Sequence, residues 1–260
     1  MTKEANATGR LTREDIQQYA CDGYTLFRQP VFAPQRFERL KAIFEENLAE
    51  YGAANLDMPH TRDERLLEFL LAPEVLDLVE PLTGPNIGLW ASHFISKEPR
   101  TGKATPWHED SAYWMGRISD MAGICTVWLA LDPVFPENGS MGVMPGTHTN
   151  GFSEYEKEGA EAHFAGFERR IRPEAIDETK AVFFTLEPNQ ASLHEARIVH
   201  GARANTSNVR RAGYTMRYFP TTARIIPEKN PGHRLWLARG VDLAGNTYQN
   251  ARRAVRPDPD

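Results

Sequence analysis

Residues 192–220 read SLHEARIVHGARANTSNVRRAGYTMRYFP, and this stretch decides the predicted fold of the second half of the chain. Two runs rich in branched and aromatic residues, 192–200 and 214–220, flank a polar segment that contains Asn, Ser and Gly. Short runs of this kind separated by turn residues are typical of β-strands. We therefore expect two neighbouring strands joined by a turn.

The same pattern recurs upstream, from about Ile87. Further short apolar runs alternate there with turns that contain Pro, Gly and Asn; the runs are LWASHFI (89–95), ICTVWLAL (124–131) and AVFFTL (181–186). Several short strands separated by turns favour a sandwich or a barrel. Residues 148–176 are polar and irregular, and we expect an insertion between strands.

The first third of the chain predicts helices instead. Apolar residues recur at spacings of three and four within residues 33–51, which gives a helix one apolar face. Thr12 and Gly23 are suited to begin and end an earlier helix. A later helix is expected over residues 73–84, between a proline and a glycine.

Composition excludes several classes of protein. The 260 residues are 41% hydrophobic and 25% charged, as in ordinary globular proteins. A net charge of −5 without a cluster of Lys and Arg argues against nucleic-acid or membrane-surface partners. Cys21 and Cys125 are the two cysteines, which is too few for a disulfide framework or thiolate metal site. Because no signal core or membrane-spanning run is apparent, we expect a cytoplasmic protein.

Residues 105–114, TPWHEDSAYW, contain the first candidate metal ligands. His108 and Asp110 are two apart, so on an extended segment both side chains point to one side and Glu109 points away. An imidazole and a carboxylate on one face can bind a divalent metal. A solvated ion pair is the alternative for such a pair.

His200 is the candidate third ligand. Two histidines and one carboxylate form the facial triad of non-haem iron(II) oxygenases, whose open positions can take a bidentate 2-oxo acid and O2. A hydrogen-bonded core histidine is the alternative. His194 shares strand parity with His200, so it could contact substrate or compete with His200 as the ligand.

Arg211 lies eleven residues after His200, and we expect a hairpin to return it beside that histidine. A guanidinium can bind a carboxylate through two hydrogen bonds. A solvated basic pair with Arg210 is the alternative. One face of this strand combines cationic and small polar residues, as a pocket would: Arg211, Gly213, Thr215 and Arg217.

In these combined features the chain resembles the phytanoyl-CoA dioxygenase family of iron(II)- and 2-oxoglutarate-dependent oxygenases. The matching stretches occur in order within residues 12–220: GYTLF, ISKEP, WHEDSAYW, WLALDPVFPENGSMGVMPGTH and HGARANTSNVRRAGYTMRYFP. The combination is far more specific than any single motif.

The resemblance implies a mainly β fold with flanking α-helices, a double-stranded β-helix or jelly roll of the cupin-like kind. It implies a single domain over residues 1–260. Within it we expect a mainly helical part over 1–84, a jelly-roll core over 85–225, and a C-terminal cover and tail over 226–260.

The resemblance also assigns site residues. It places iron(II) on His108, Asp110 and His200, and the distal carboxylate of the cosubstrate 2-oxoglutarate on Arg211. It suggests a cosubstrate contact for Lys97.

Two further positions bear on the reaction. Many relatives have a serine where this chain has Ala202, so Thr126 or a water is expected to replace that cosubstrate contact. Related halogenases lack the carboxylate that Asp110 supplies, so the resemblance implies hydroxylation, or desaturation or demethylation by the same route.

For the substrate site, Tyr113, Trp114 and Arg117 are the expected rim because they follow the metal motif closely. Arg217 is a candidate anchor for an anionic group, and His194 a candidate substrate contact. These residues favour a small polar or anionic metabolite, such as an amino acid derivative, an organophosphonate or a natural-product intermediate.

Two other functions stay open at this point. One is a non-catalytic jelly-roll protein that binds a metal or a metabolite. The other is a metal-dependent hydrolase or epimerase that uses the same triad with zinc. Both leave the position of Arg211 unexplained. No sequence feature bears on the oligomeric state.

Overall fold

The computed structural model describes residues 9–157 and 169–250. Within them the α-helices are α1 (Arg13–Asp22), α2 (Pro34–Tyr51), α3 (Leu67–Leu70), α4 (Pro73–Thr83) and α5 (Asp110–Trp114). No helix of the described chain combines the length and apolar character needed to cross a membrane.

The predicted ends of the first helix are confirmed. They could be predicted because they depend on local contacts alone. Thr12 Oγ1 accepts a hydrogen bond from the Asp15 amide at 3.1 Å, and the Asp15 carboxylate accepts one from the Thr12 amide at 3.0 Å. This reciprocal capping satisfies donors at the helix start. Gly23 ends α1 with φ at 80°, a conformation that glycine adopts without strain.

Twelve strands are present among the described residues. They are β1 (Tyr24–Phe27), β2 (Ile87–Lys97), β3 (Thr105–His108), β4 (Cys125–Ala130), β5 (Met141–Val143), β6 (Tyr155–Lys157), β7 (Arg169–Ile171), β8 (Val182–Phe183), β9 (Ala191–Glu195), β10 (His200–Ala202), β11 (Arg211–Pro220) and β12 (Trp236–Arg239).

The strands form two antiparallel main sheets and a small ribbon. The larger sheet has the order β1-β9-β4-β11-β2-β12, and the smaller one has the order β3-β10-β5-β8. Among the described strands, β6 and β7 pair with each other and with no third strand. Two such sheets with helices on the outside are the predicted jelly roll, and the fold class is confirmed.

The main hydrophobic core lies between the helices and the outer face of the six-stranded sheet. It includes Leu40 and Phe44 of α2 and Val75 of α4, all fully buried against β2 and β11 residues such as Phe94 and Tyr214. The polar residues of the inner face are left to line a cavity between the two sheets. The core therefore stabilises the larger sheet from its outer face and leaves the cavity on the inner face unfilled.

The expected hairpin between residues 192–200 and 211–220 is wrong. The first run is two strands, β9 and β10, which belong to different sheets, and the chain turns between them. Strand β11 then returns to the larger sheet, between β4 and β2. Residues 203–210 are thus a crossover between sheets.

Three other regions contain strands that were not predicted. The mainly helical N-terminal part also contributes β1, which pairs with β9 at the sheet edge. The predicted insertion includes the β6–β7 ribbon, and its residues 158–168 lie outside the described chain. The expected C-terminal cover contributes β12, which extends the larger sheet beside β2, and residues 251–260 lie outside the described chain.

Candidate metal centre

A cavity of about 170 Å³ lies between the two sheets. Its wall contains four of the histidines, one carboxylate and two arginines among the described residues. These are His93, His108, His194, His200, Asp110, Arg211 and Arg217. A buried cavity with several convergent polar groups is the usual form of a ligand site.

Two neighbouring strands and a short helix bring the three predicted metal ligands together. His108 ends β3 and lies opposite His200, the first residue of β10. Asp110 does not continue the strand as expected, because it is the first residue of α5. One ligand atom of each residue lies within 4.8 Å of the others, and His108 Nε2 is 3.7 Å from Asp110 Oδ1.

Backbone contacts orient both imidazoles. Nδ1 of His108 is 2.8 Å from the Pro106 carbonyl oxygen, and Nδ1 of His200 is 3.0 Å from the Ile198 carbonyl oxygen. A carbonyl can only accept, so each Nδ1 carries a hydrogen, which leaves Nε2 as the ring atom that can bind a metal. Burial, together with the nearby His108, holds the pKa of His200 well below its usual value, which favours the neutral ligand form.

The Asp110 carboxylate divides its oxygens between two environments. Oδ2 accepts hydrogen bonds from Arg217 Nε at 3.1 Å and from Thr126 Oγ1 at 3.4 Å, while Oδ1 faces His108. Burial alone would raise the pKa of Asp110, but Arg217 and the two histidines lower it well below its usual range. The carboxylate is therefore ionised, with one oxygen available to a cation.

Glu109, between the two ligands of the motif, points away from the cavity as predicted and is buried on the other side. Its carboxylate accepts hydrogen bonds from the Ser153 hydroxyl at 2.6 Å and from the Tyr155 hydroxyl at 3.0 Å. The metal-binding segment is thus attached to the chain that leads into β6.

Arg211 lies in the same cavity, at the start of β11, with only 2% of its surface exposed. Its Nε and Nη2 donate to the Gly139 carbonyl oxygen at 3.0 and 2.5 Å, and its guanidinium lies 5.1 Å from the centre of the Trp128 ring. Burial lowers its pKa to about 10, so it stays cationic at neutral pH. Its Nη1 has no hydrogen-bond partner within the described residues.

Lys97, opposite Arg211 on β2, is turned towards the backbone of the crossover. Its Nζ donates to the carbonyl oxygens of Arg203 at 2.7 Å and Ala202 at 3.4 Å, and Lys97 does not belong to the described cavity wall. Burial, with a contribution from Arg211, lowers its pKa to about 6. Its contact with a cosubstrate stays a prediction.

His194 faces the cavity from β9. It lies in the larger sheet and His200 lies in the smaller one, so the two do not share one strand as expected. Its ring centre is 4.9 Å from that of His200, and it lies opposite Thr126 on β4. Only 1% of it is exposed, yet neither ring nitrogen has a hydrogen-bond partner within the described chain. The cluster with ligand spacing contains His200 and not His194, which favours His200 as the metal ligand.

The three residues predicted to form the substrate rim occupy different places. Tyr113 is 37% exposed, with its ring 5.9 Å from that of His108. Trp114 is buried and packs against Trp90. Arg117 is not among the described residues that line the metal cavity; it lines a second cavity, where its Nε donates to Asn230 Oδ1 at 2.8 Å.

Sequence reasoning missed His93, which lines the cavity from β2. Burial, with a contribution from Arg217, lowers its pKa to about 4. A signal was available, because His93 shares strand parity with Lys97 and faces away from the core residue Phe94.

Comparison with known proteins agrees with this geometry. A family model described as phytanoyl-CoA dioxygenase (PhyH) matches residues 19–213. The human peroxisomal phytanoyl-CoA dioxygenase is 31% identical over 159 residues, which cover 58% of this chain and 45% of the human protein. A Stutzerimonas stutzeri protein named as a probable alpha-ketoglutarate-dependent hypophosphite dioxygenase is 26% identical over 218 residues, covering 76% of this chain and 75% of that protein.

A solved structure has the same fold. The non-haem alpha-ketoglutarate-dependent carbocyclase of nogalamycin biosynthesis aligns with a TM-score of 0.71 at 22% sequence identity, covering 88% of this chain and 92% of that one. The matched segments cover 45% of the human and 55% of the bovine phytanoyl-CoA dioxygenase, so the chain spans about half the length of these relatives.

Proposed function

The chain belongs to the phytanoyl-CoA dioxygenase family, and on that premise we propose that it is an iron(II)- and 2-oxoglutarate-dependent oxygenase. We propose that it hydroxylates a C–H bond of a small polar or anionic metabolite. The observation that carries this proposal is the shared cavity. Two imidazoles, an ionised carboxylate and a buried arginine line one cavity between the sheets.

The donor set fits iron(II). Two imidazole nitrogens and one carboxylate oxygen are the ligands of the non-haem facial triad, and none of the three is a thiolate. His108 and His200 would each bind through Nε2, because each Nδ1 donates to a backbone carbonyl. Asp110 would bind through Oδ1, because Oδ2 is held by Arg217 and Thr126.

Arg211 fits the distal carboxylate of 2-oxoglutarate. It is cationic and buried, and Trp128 and the Gly139 carbonyl hold its plane in place. With both bound, iron and 2-oxoglutarate supply the chemistry: O2 and the cosubstrate yield succinate and CO2, and one oxygen atom enters the substrate C–H bond. The protein's own residues bind the reactants, orient them and limit access of water.

The size of the cavity supports a small substrate. Its volume of about 170 Å³ must also hold the metal and 2-oxoglutarate, and it is already below the roughly 300–1,000 Å³ of typical sites for drug-sized ligands. A relative named for hypophosphite, a small anion, matches three quarters of this chain. We therefore favour a compact metabolite over a long acyl chain enclosed in this space.

The test is an anaerobic titration of iron(II) and then 2-oxoglutarate into metal-free protein, followed by visible absorbance. We expect a weak metal-to-ligand charge-transfer band that appears only when both are present. Zinc in place of iron should give no band and serves as the control. If iron binds and no band forms, 2-oxoglutarate does not chelate the metal, and a metal sensor or a hydrolase becomes the better reading.

A further inference from the structure

The charges in the cavity wall do not cancel. Among the described residues that line it, the charged groups are the guanidinium groups of Arg211 and Arg217 and the carboxylate of Asp110. Two positive charges and one negative charge leave one positive charge. The histidines in the wall are either neutral or positive, so protonation could only increase this excess.

Loading the site does not remove the excess. Iron(II) carries two positive charges and 2-oxoglutarate carries two negative charges, so together they add none. A net charge carried by largely buried side chains such as Arg211 and Arg217 is unfavourable unless an opposite charge lies beside it. The whole chain has a net charge of −5, so the positive cavity is a local property and not a reflection of composition.

Two cavity residues with unused hydrogen-bond donors, His194 and Arg217, lie in one row across the larger sheet. His194 on β9 pairs with Thr126 on β4, and Thr126 pairs with Arg217 on β11. All three line the cavity. Arg217 donates from Nε to Asp110 Oδ2 at 3.1 Å and from Nη1 to Thr215 Oγ1 at 3.3 Å. Its Nη2 has no hydrogen-bond partner among the described residues.

His194 adds a second, independent observation. It is almost fully buried, and both of its ring nitrogens lack hydrogen-bond partners in the described part of the chain. Burying a polar group without a partner is costly, and such groups usually meet a ligand or an ordered water. A neutral imidazole offers one N–H, which suits an acceptor oxygen on a bound molecule.

We propose that the substrate is a small oxyanion with one negative charge, a carboxylate or a phosphorus oxyanion, whose anionic group lies against Arg217 Nη2 and the His194 N–H. This inference rests on the proposed function and narrows its substrate class. Arg217 then has two roles: it orients Asp110 through Nε, and it binds substrate through the other end of the guanidinium. A neutral substrate of equal size could accept a hydrogen bond from either group, but it would leave the positive charge of the cavity without a counter-charge.

The experiment uses protein loaded with iron(II) and 2-oxoglutarate without O2, and two probes that differ mainly in charge, propanoate and propanamide. We expect propanoate to shift the charge-transfer band saturably, without loss of amplitude. Its apparent affinity should exceed that of propanamide by at least about tenfold. Arg217→Met should abolish this preference, and His194→Leu should weaken it. Arg224→Met, the same change at an exposed arginine, should leave it intact.

The outcomes separate the two proposals. If no band forms in the wild-type protein, the proposed function fails. If the band forms but the two probes bind equally, the function stands and the anionic substrate is wrong. Loss of the band on adding propanoate would mean displacement of 2-oxoglutarate and would also count against the inference. The comparison in wild-type protein decides the matter even if Arg217→Met disturbs the metal site.

Discussion

The two faces of β11 have opposite compositions, although they belong to one strand. On the outer face, Ala212, Tyr214, Met216 and Tyr218 are fully buried in the main hydrophobic core. On the inner face, Arg211, Thr215 and Arg217 line the cavity. Strand alternation makes this possible, because neighbouring residues point to opposite sides of a sheet. The stability of the sheet and the chemistry of the site are thus encoded by alternate residues.

Because different residues form the two faces, we expect stability and ligand binding to respond separately to substitution. Substitutions on the outer face should change the free energy of unfolding and leave the affinity of the folded protein for its ligands as it was. Substitutions in the cavity should change ligand affinity and alter stability much less. Three predictions test this separation.

Asp110→Ala should have the largest effect, because it removes a metal ligand from the cavity. We expect iron(II) affinity to fall by at least about 100-fold, with hydroxylation lost as a result. Calorimetric titration of iron(II) measures the affinity, and circular dichroism checks the fold. Asp120→Ala, a change at an exposed carboxylate, is the control. Affinity close to that of the wild type would remove Asp110 from the site.

Tyr214→Ala should leave ligand binding unchanged and act on stability alone. The ring stacks on Phe94 with centres 4.1 Å apart, and its hydroxyl donates to Ser92 at 3.0 Å. We expect a loss of about 3–5 kcal/mol in the free energy of unfolding, measured with urea. Tyr214→Phe removes only the hydroxyl and should cost about 1 kcal/mol. If the folded Tyr214→Ala protein bound 2-oxoglutarate more weakly, the two faces would not be separable.

Arg211→Met should have the smallest of the three effects, and it should act on the cosubstrate. Losing a charged hydrogen bond to the distal carboxylate is expected to weaken 2-oxoglutarate binding by about 10–100-fold. The charge-transfer band gives this affinity directly.

The adjacent Arg210 provides a matched control for that experiment. Its guanidinium is bound to Glu45 at 2.6 Å and to Asp132 at 2.7 Å, outside the cavity. Arg210→Met should therefore leave 2-oxoglutarate affinity at the wild-type value. If Arg210→Met and Arg211→Met weakened binding equally, Arg211 would have no specific contact with the cosubstrate.

Local features of the fold could be predicted from the sequence, whereas the path between sheets could not. The ends of α1 follow from Thr12 and Gly23, which act within a few residues of the chain. The change of sheet between His194 and His200 depends on pairing with β4 and β3, far away in sequence. Parity along a single run cannot reveal that the run is divided between two sheets.

In the candidate site, too, the residue types could be predicted from the sequence but their spatial arrangement could not. The cluster of His108, Asp110 and His200 could be predicted because few residue types can bind iron(II). Arg211 was expected beside His200 through a hairpin, but the two residues face one cavity from opposite sheets. Arg117 lines a second cavity and not the described wall of the metal cavity, so its role at the substrate rim stays a prediction.

The hydrogen bonds of Glu109 also protect the strand against an error of register. A slip of the extended segment 105–109 by one residue would exchange the faces of its side chains and turn Glu109, another carboxylate, into the cavity. Such a slipped strand could still offer a metal an acidic ligand, but a longer one in the wrong place. In the native register Ser153 and Tyr155 bind both oxygens of Glu109. A slip would break these bonds. The contacts of Glu109, on the side that faces away from the metal site, therefore stabilise the correct register of the metal-binding segment.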